Sequence, residues 1–186
     1  ATPRTFPEFS AYFLQQTIKE PAPATIENFQ GKSLNATDYQ RPNHNLPAQV
    51  TNFIGRQEDI ARIQGRLAAP GQANRLLTLT GPGGTGKTRL ALQVAGGLLE
   101  SFPDGIWWIE LAALNDPILL AQTIAGTLDL PEQPGNSPLA VLLEHLRDKR
   151  TLVVLDNCEH LVAECARICH ALLAANPTTV ILATSR

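Results

Sequence analysis

Short runs of apolar residues recur along the second part of this chain, and segments with helical periodicity separate them. The apolar runs cover residues 75–80, 105–112, 151–156 and 178–185. Runs that are apolar on both faces are typical of strands in a parallel sheet that helices cover on either side. The pattern therefore predicts an α/β fold with a three-layer αβα arrangement. Because neighbouring side chains of a strand alternate, Trp107 and Trp108 should lie on opposite faces of the sheet.

The regular alternation does not extend over the whole chain. Residues 1–48 are polar over long stretches and show no sustained strand or helix period, so we predict a largely irregular linker or the tail of an upstream region. Residues 49–186 carry the α/β pattern and form the predicted domain. The sequence ends with the fourth apolar run, and we expect the domain to be truncated there and incomplete at its C-terminus.

Composition excludes several classes of protein. The formal net charge is −2 and the sequence pI is about 6.1, so this segment has no cationic field for direct binding of nucleic acid or an anionic membrane. No apolar run approaches the roughly 20 residues of a membrane span. The 3 cysteines are clustered and odd in number, unlike a secreted disulfide framework, which favours a reducing, cytoplasmic location.

The stretch GPGGTGKT at 81–88 matches the pattern G-x-x-x-x-G-K-[ST], after a predicted strand and at the start of a predicted helix. Glycines let successive backbone N–H groups face phosphate oxygens, and the helix N-terminus adds partial positive charge. Lys87 would contact the β- and γ-phosphates, and Thr88 would ligate Mg²⁺. A glycine-rich turn with a chance lysine is the structural alternative. The predicted nucleotide-binding residues of this segment are Gly81, Pro82, Gly83, Gly84, Thr85, Gly86, Lys87, Thr88 and Arg89.

A magnesium site in such a domain needs a carboxylate at the end of another buried strand. Asp156 follows the apolar run LVVL and is the candidate, together with Thr88. Aspartate is also a favourable N-cap, and the residues alone leave both roles open for Asp156.

Hydrolysis of a nucleotide needs a group that orients or deprotonates water. Asn157 cannot act as a base, whereas Glu159 can if its side chain faces the site. Glutamate is equally favourable in the first turn of a helix, so the sequence leaves the catalytic role of Glu159 open.

The clustered residues Cys158, Cys165, Cys169 and His170 raise the possibility of a zinc site. Cys165 and Cys169 are four residues apart on a predicted helix, and His170 points elsewhere. Since this spacing matches no compact zinc pattern, we interpret the cysteines as small buried core residues.

Five stretches in this order resemble the nucleotide-binding domain of STAND-class signalling ATPases. They are LPAQVTNFIGRQEDI, LLTLTGPGGTGKTRLALQVA, FPDGIWWIELA, LVVLDNCEHL and VILATSR. The resemblance covers residues 46–186 and is greatest to the NB-ARC-like branch in bacterial LuxR-type and SARP-type transcriptional regulators. It implies an ASCE-type P-loop NTPase fold with ATP or ADP and Mg²⁺ as cofactors.

The resemblance also implies site residues at both ends of this region. The stretch FIGR at 53–56 is similar to a motif that contacts adenine, which assigns Ile54, Gly55 and Arg56 to the nucleotide site. The stretch TSR at 184–186 is similar to a sensor segment, which makes Arg186 a contact for the γ-phosphate beside Lys87. In that fold, the sensor strand lies between the phosphate-loop strand and the strand of Asp156.

These implications lead to one functional hypothesis with two alternatives. Members of the family often have a second acid directly after the magnesium aspartate. Asn157 stands at that position here, so Glu159 becomes the candidate base. We therefore expect Lys87, Glu159 and Arg186 to be the catalytic residues of a slow ATPase acting as a nucleotide switch. Protein partners or self-association would involve domains outside this segment, in a transcription-regulating protein. The alternatives are a P-loop kinase for a small molecule and an interaction module that keeps its nucleotide without hydrolysing it.

Overall fold

The structure, a computed structural model, describes residues 43–48, 53, 55–69 and 75–186. Every described residue belongs to one compact unit, Pro42–Arg186. The predicted linker over 1–48 thus lies almost wholly outside the described residues and stays a prediction. Ile54 lies outside them as well. None of the helices in the described ranges has the length and apolarity that crossing a bilayer requires.

Helices and strands alternate along the described chain as the sequence predicts. The α-helices are α1 (Gln57–Ala68), α2 (Lys87–Gly96), α3 (Leu120–Thr127), α4 (Pro138–His145) and α5 (Val162–Ala175). The strands are β1 (Leu76–Thr80), β2 (Ile106–Glu110), β3 (Leu152–Asp156) and β4 (Val180–Ser185). Short 3₁₀ turns at Leu99–Ser101, Pro117–Leu119 and Cys158–His160 complete the connections.

The strands form one parallel sheet in the order β1-β4-β3-β2. The order confirms that the last strand lies between the phosphate-loop strand and the strand of Asp156. Since all four strands run in the same direction, the residues that follow β1, β3 and β4 meet at a single edge of the sheet. In α/β sheets, ligands bind at this carboxyl edge.

Two apolar cores, one on each face of the sheet, confirm the three-layer arrangement. One contains Leu67 of α1 and Val94 of α2, and the other contains buried residues of α3, α4 and α5. Trp108 packs in the first core and Trp107 against the second, on opposite faces as predicted. Every residue of β3 is buried, so Asp156 ends a strand that is shielded from water on both sides.

The helix that follows the glycine-rich stretch, α2, ends at Gly96. A β-carbon on Gly97 would lie 3.2 Å from Cδ of Gln64, whose amide also donates a hydrogen bond to the carbonyl of Val94. The side chain of Gln64 would have to move to admit a larger residue at 97, so glycine suits the close approach of α1 there. Gly96 has no such neighbour within 4 Å.

Residues 43–48, which we call the strap, lie along the outer edge of β2. The N–H of Ile106 donates to the carbonyl of Asn43 at 2.8 Å. The side chain of Asn45 accepts from the N–H of Trp108 at 2.6 Å and donates to its carbonyl at 2.8 Å. A carboxamide thus occupies the place of a strand backbone, which satisfies polar groups that an edge strand would otherwise expose.

Candidate nucleotide-binding site

The glycine-rich loop at 81–88 connects β1 to α2 at the carboxyl edge of the sheet. Gly84 and Gly86 have φ angles of 79° and 81°, in the left-handed region that favours glycine. Gly86 is also the N-cap of α2, so no N-cap side chain competes for the first amides of that helix. The loop therefore presents backbone N–H groups and a helix N-terminus to the same space, which suits an anion.

Lys87 folds back over this loop. Its Nζ donates to the carbonyls of Gly81 and Pro82 at 2.8 and 2.9 Å, and the hydroxyl of Thr85 donates to the same Pro82 carbonyl at 2.9 Å. The ammonium group is thus held at the mouth of the loop by neutral acceptors. A phosphate oxygen forms a stronger, charge-assisted hydrogen bond with an ammonium than a carbonyl does, so a bound phosphate can take over these contacts.

The carboxylate of Asp156 contacts hydroxyl groups from two other elements. Thr88 donates to Oδ1 and Oδ2 at 2.9 and 3.2 Å, and Thr184 of β4 donates to Oδ1 at 2.5 Å. Asp156 is 5% exposed. It does not serve as an N-cap, because the N-cap positions that follow belong to Asn157 and Leu161. A buried carboxylate beside a hydroxyl is a set of hard oxygen donors, and these residues fit Mg²⁺.

Glu159 lies in the 3₁₀ turn that follows β3, and its side chain points into the site. Its Oε1 accepts from Nε of Arg186 at 3.0 Å. The Glu159 side chain is 22% exposed and that of Arg186 is 72% exposed. The candidate base and the candidate sensor thus form an ion pair with each other, a contact that the sequence did not predict.

A cavity of about 300 Å³ joins these groups. Among the residues singled out from the sequence, its lining includes Gly83, Gly84, Gly86, Lys87, Thr88, Arg89, Glu159 and Arg186. The buried carboxylate of Asp156 reaches this wall through its contact with Thr88. Most of the predicted loop residues therefore lie around one space with Glu159 and Arg186, whereas Gly81, Pro82 and Thr85 do not line it.

The segment predicted to contact adenine borders the same loop. Nη1 of Arg56 donates to the carbonyl of Thr85 at 3.3 Å. The guanidinium of Arg89 stacks over the ring of Phe53 at 5.6 Å, within the range of a cation–π contact. Gly55 has a φ angle of 87°, which explains glycine at that position.

The cysteine cluster belongs to the core and not to a metal site. Cys158, Cys165 and Cys169 are free and buried. Among the described residues, no group of three or more histidine, cysteine and acidic side chains could hold a metal ion. Burial raises the pKa of Cys169 to about 12, so this thiol stays protonated at neutral pH.

Sequence reasoning missed two contributors to the site. Thr184 was included only in the segment that carries Arg186, and Asn157 was considered only as a residue that cannot be a base. Asn157 has a left-handed φ of 69° and donates its N–H to the Thr184 hydroxyl at 2.9 Å. Thr184 could have been found from its position, because it is a hydroxyl residue at the end of the apolar run that was expected to lie beside the strand of Asp156.

The sheet order, the glycine-rich loop and the aspartate–threonine contact define a P-loop nucleotide-binding domain. The chain belongs to the AAA domain family, whose family model matches residues 71–186.

One of the proteins similar to this chain has a name that describes a transcriptional regulator. A protein of Mycobacterium tuberculosis provisionally named an HTH-type transcriptional regulator is 46% identical over 113 residues, which are 61% of this chain and 13% of that protein. An uncharacterized M. tuberculosis protein is 39% identical over 142 residues, or 76% of this chain. The chain spans 35% of the length of that relative.

A solved structure supports the fold. The crystal structure of Cdc6p from Pyrobaculum aerophilum superposes with a TM-score of 0.55 and 19% sequence identity. The match covers 76% of this chain and 41% of the other. At this level of identity the likeness concerns the fold alone.

Proposed function

We propose that this chain is the nucleotide switch of a larger, transcription-regulating protein of the STAND class, and that it binds ATP or ADP with Mg²⁺ and hydrolyses ATP slowly. The observation that carries the proposal is the contact of Thr88 with Asp156. It joins the last residue of the glycine-rich loop to a buried carboxylate on a different strand. A purely structural glycine-rich turn has no need of such a carboxylate, because burying one is costly.

Nucleotide binding would use groups that already point into the cavity. The loop amides and the N-terminus of α2 would accept the phosphates, and Lys87 would exchange its carbonyl contacts for phosphate oxygens. Thr88 and Asp156 would hold Mg²⁺, which supplies positive charge at the phosphates. The stretch at 53–56 would contact the base.

The ion pair of Glu159 with Arg186 would keep the candidate base inactive until ATP binds. While Oε1 accepts from the guanidinium at 3.0 Å, that oxygen is occupied and is not available to orient an attacking water. A γ-phosphate offers the guanidinium a stronger partner, and Glu159 is then released to orient water. Bound ATP would therefore activate its own hydrolysis, and ADP would leave the pair intact.

The regulatory part of the proposal rests on the relatives. One of them is provisionally named an HTH-type transcriptional regulator, and the matched segment makes up 13% of that protein. A module of this size in a long protein suits a switch whose output belongs to other domains. Protein partners or self-association would act through those domains, and a cytoplasmic location would follow from the role in transcription.

The test is equilibrium titration of a fluorescent ATP analogue in the presence of Mg²⁺. Lys87→Ala should lower the affinity at least 100-fold, because charge-assisted contacts to the phosphates are lost. Lys149→Ala is the matched control, since that ammonium lies 3.0 Å from the His145 ring, before the amino end of β3. Equal binding by wild type and Lys87→Ala would refute the proposed function.

The ion pair of Glu159 also favours the second candidate, a module that holds nucleotide without hydrolysing it. Release of phosphate from excess ATP separates the two functions. A wild-type rate that falls in Glu159→Gln supports the slow ATPase. A wild-type rate equal to that of Glu159→Gln and of buffer alone supports the module without turnover.

A further inference from the structure

Thr184 is a buried threonine at the carboxyl end of β4, and it contacts the carboxylate that would hold Mg²⁺. The residue is 2% exposed. Its hydroxyl donates to Oδ1 of Asp156 at 2.5 Å and accepts the N–H of Asn157 at 2.9 Å. The hydroxyl thus binds both the side chain of the aspartate and the backbone of the residue after it.

We infer that Thr184 is the positioning residue of the Mg²⁺ site, which orients Asp156 toward the metal. This inference rests on the proposed function. Oδ1 of Asp156 receives hydroxyl contacts at 2.5 and 2.9 Å, whereas Oδ2 receives one, from Thr88, at 3.2 Å. Thr184 therefore fixes the rotation of the carboxylate through Oδ1. The less tightly held Oδ2 remains for the metal or a water bound to it.

The contact with Asn157 adds a second constraint. Asn157 adopts a left-handed φ of 69°, a conformation that asparagine tolerates better than most residues with a side chain. The hydrogen bond from its N–H to Thr184 holds this bend at the end of β3. Because the bend begins the turn that carries Glu159, Thr184 fixes the start of that turn as well as the carboxylate of Asp156.

Groups that orient a metal ligand without touching the metal change metal affinity by about 10- to 100-fold when they are removed. Thr184→Val has nearly the same shape as threonine but offers no hydroxyl. We expect it to weaken Mg²⁺-dependent binding of the ATP analogue within that range and to leave binding in excess EDTA within about twofold of wild type. Thr184→Ser keeps the hydroxyl and should restore the Mg²⁺ response.

The matched control is Thr179→Val. Thr179 immediately precedes β4 at its opposite end, is fully buried, and has a hydroxyl without a hydrogen-bond partner among the described residues. Its substitution also replaces a buried hydroxyl with a methyl group, so it should preserve the Mg²⁺ response. Loss of that response in both variants would attribute the effect to general perturbation of β4 and overturn the inference.

A double variant tests whether Thr184 acts through Asp156. In the Asp156→Ala background, Thr184→Val should have no further effect on the Mg²⁺ response. An unchanged Mg²⁺ response in Thr184→Val alone, or an equal loss of affinity with Mg²⁺ and with EDTA, would overturn the inference. If thermal unfolding shows that Thr184→Val is not folded, Thr184→Cys replaces it, because a thiol is only a weak donor.

The two proposals fail in different ways. Wild-type protein that does not bind the analogue through Lys87 would refute the proposed function. Wild-type protein that binds with a clear Mg²⁺ dependence, together with an undiminished dependence in Thr184→Val, would refute the role of Thr184 alone.

Discussion

The ion pair between Glu159 and Arg186 predicts how strongly the site distinguishes ATP from ADP. If Arg186 contacts the γ-phosphate, it must first leave Glu159, and the free energy of the pair opposes ATP binding. Glu159→Gln keeps the shape of the side chain and removes its charge. We therefore expect this substitution to increase the affinity for ATP relative to ADP.

The structure sets the size of this effect. At 3.0 Å, two unit charges interact by about 1.4 kcal/mol in bulk water and about 5.5 kcal/mol at an effective dielectric constant of about 20. The Arg186 side chain is 72% exposed, so the aqueous limit applies, and exposed pairs contribute at most about 1 kcal/mol. That free energy corresponds to a change of about fivefold in the ratio of the two dissociation constants.

Displacement of a fluorescent ADP analogue by ATP and by ADP, with Mg²⁺ present, measures this ratio. Glu159 also repels the phosphates directly, and ATP carries more negative charge than ADP. Glu159→Gln is therefore repeated in the Arg186→Ala background, where no pair exists to be broken. The reasoning is refuted if the ratio rises equally in the presence and absence of Arg186, because repulsion would then account for the whole change.

The other predictions concern stability. Thr179→Val should raise the free energy of unfolding by about 1 kcal/mol, measured with urea, because the buried hydroxyl it removes has no partner among the described residues; an unchanged or lower value would contradict this. Asn45→Ala should lower it by about 1–3 kcal/mol, since both hydrogen bonds to the Trp108 backbone are lost, and wild-type stability would show that the strap contributes nothing. Burial raises the pKa of Cys169 to about 12. Above about pH 9 the unfolded chain therefore loses a proton that the folded chain retains. The free energy of unfolding should then fall by up to about 1.4 kcal/mol per pH unit. Cys169→Ala should lose this component of the pH dependence between about pH 9 and 11, and identical slopes would refute it.

The sequence was sufficient to predict the fold because the relevant signals are local. An apolar run such as 151–156 is stable in water only if both faces of the strand are buried. This run forms β3, and every residue of β3 is buried. The glycines of 81–88 likewise specify a turn that other residues cannot easily adopt. Helix ends were less predictable: α2 stops at Gly96, and the Gln64 side chain that packs against Gly97 comes from a helix far away in the sequence.

Side-chain direction in the site could not be predicted, because it depends on contacts between strands. The spacing of Asp156 and Glu159 is compatible with a helix start in which both carboxylates act as caps. In the structure the first is buried against hydroxyls from α2 and β4, and the second pairs with Arg186. These partners lie 27 to 68 positions away in the sequence, so the spacing of residues within a single helix or strand does not predict the contacts. The register of the sheet brings them together.

The two contacts at the end of β4 differ in burial and in strength, and a nucleotide switch would use each of them differently. The hydrogen bond of Thr184 to Asp156 is buried and short, so breaking it would leave a buried carboxylate poorly satisfied. The ion pair of Arg186, two residues further along, is largely exposed and contributes little free energy. A ligand can change a conformational equilibrium only by the difference in its affinity for the two states. If Thr88 and Asp156 hold Mg²⁺ as proposed, the buried contact would keep these ligands in place, and a γ-phosphate would need only about 1 kcal/mol to move the arginine. The response to ATP should therefore be confined to Arg186, Glu159 and the turn Cys158–His160 that carries Glu159.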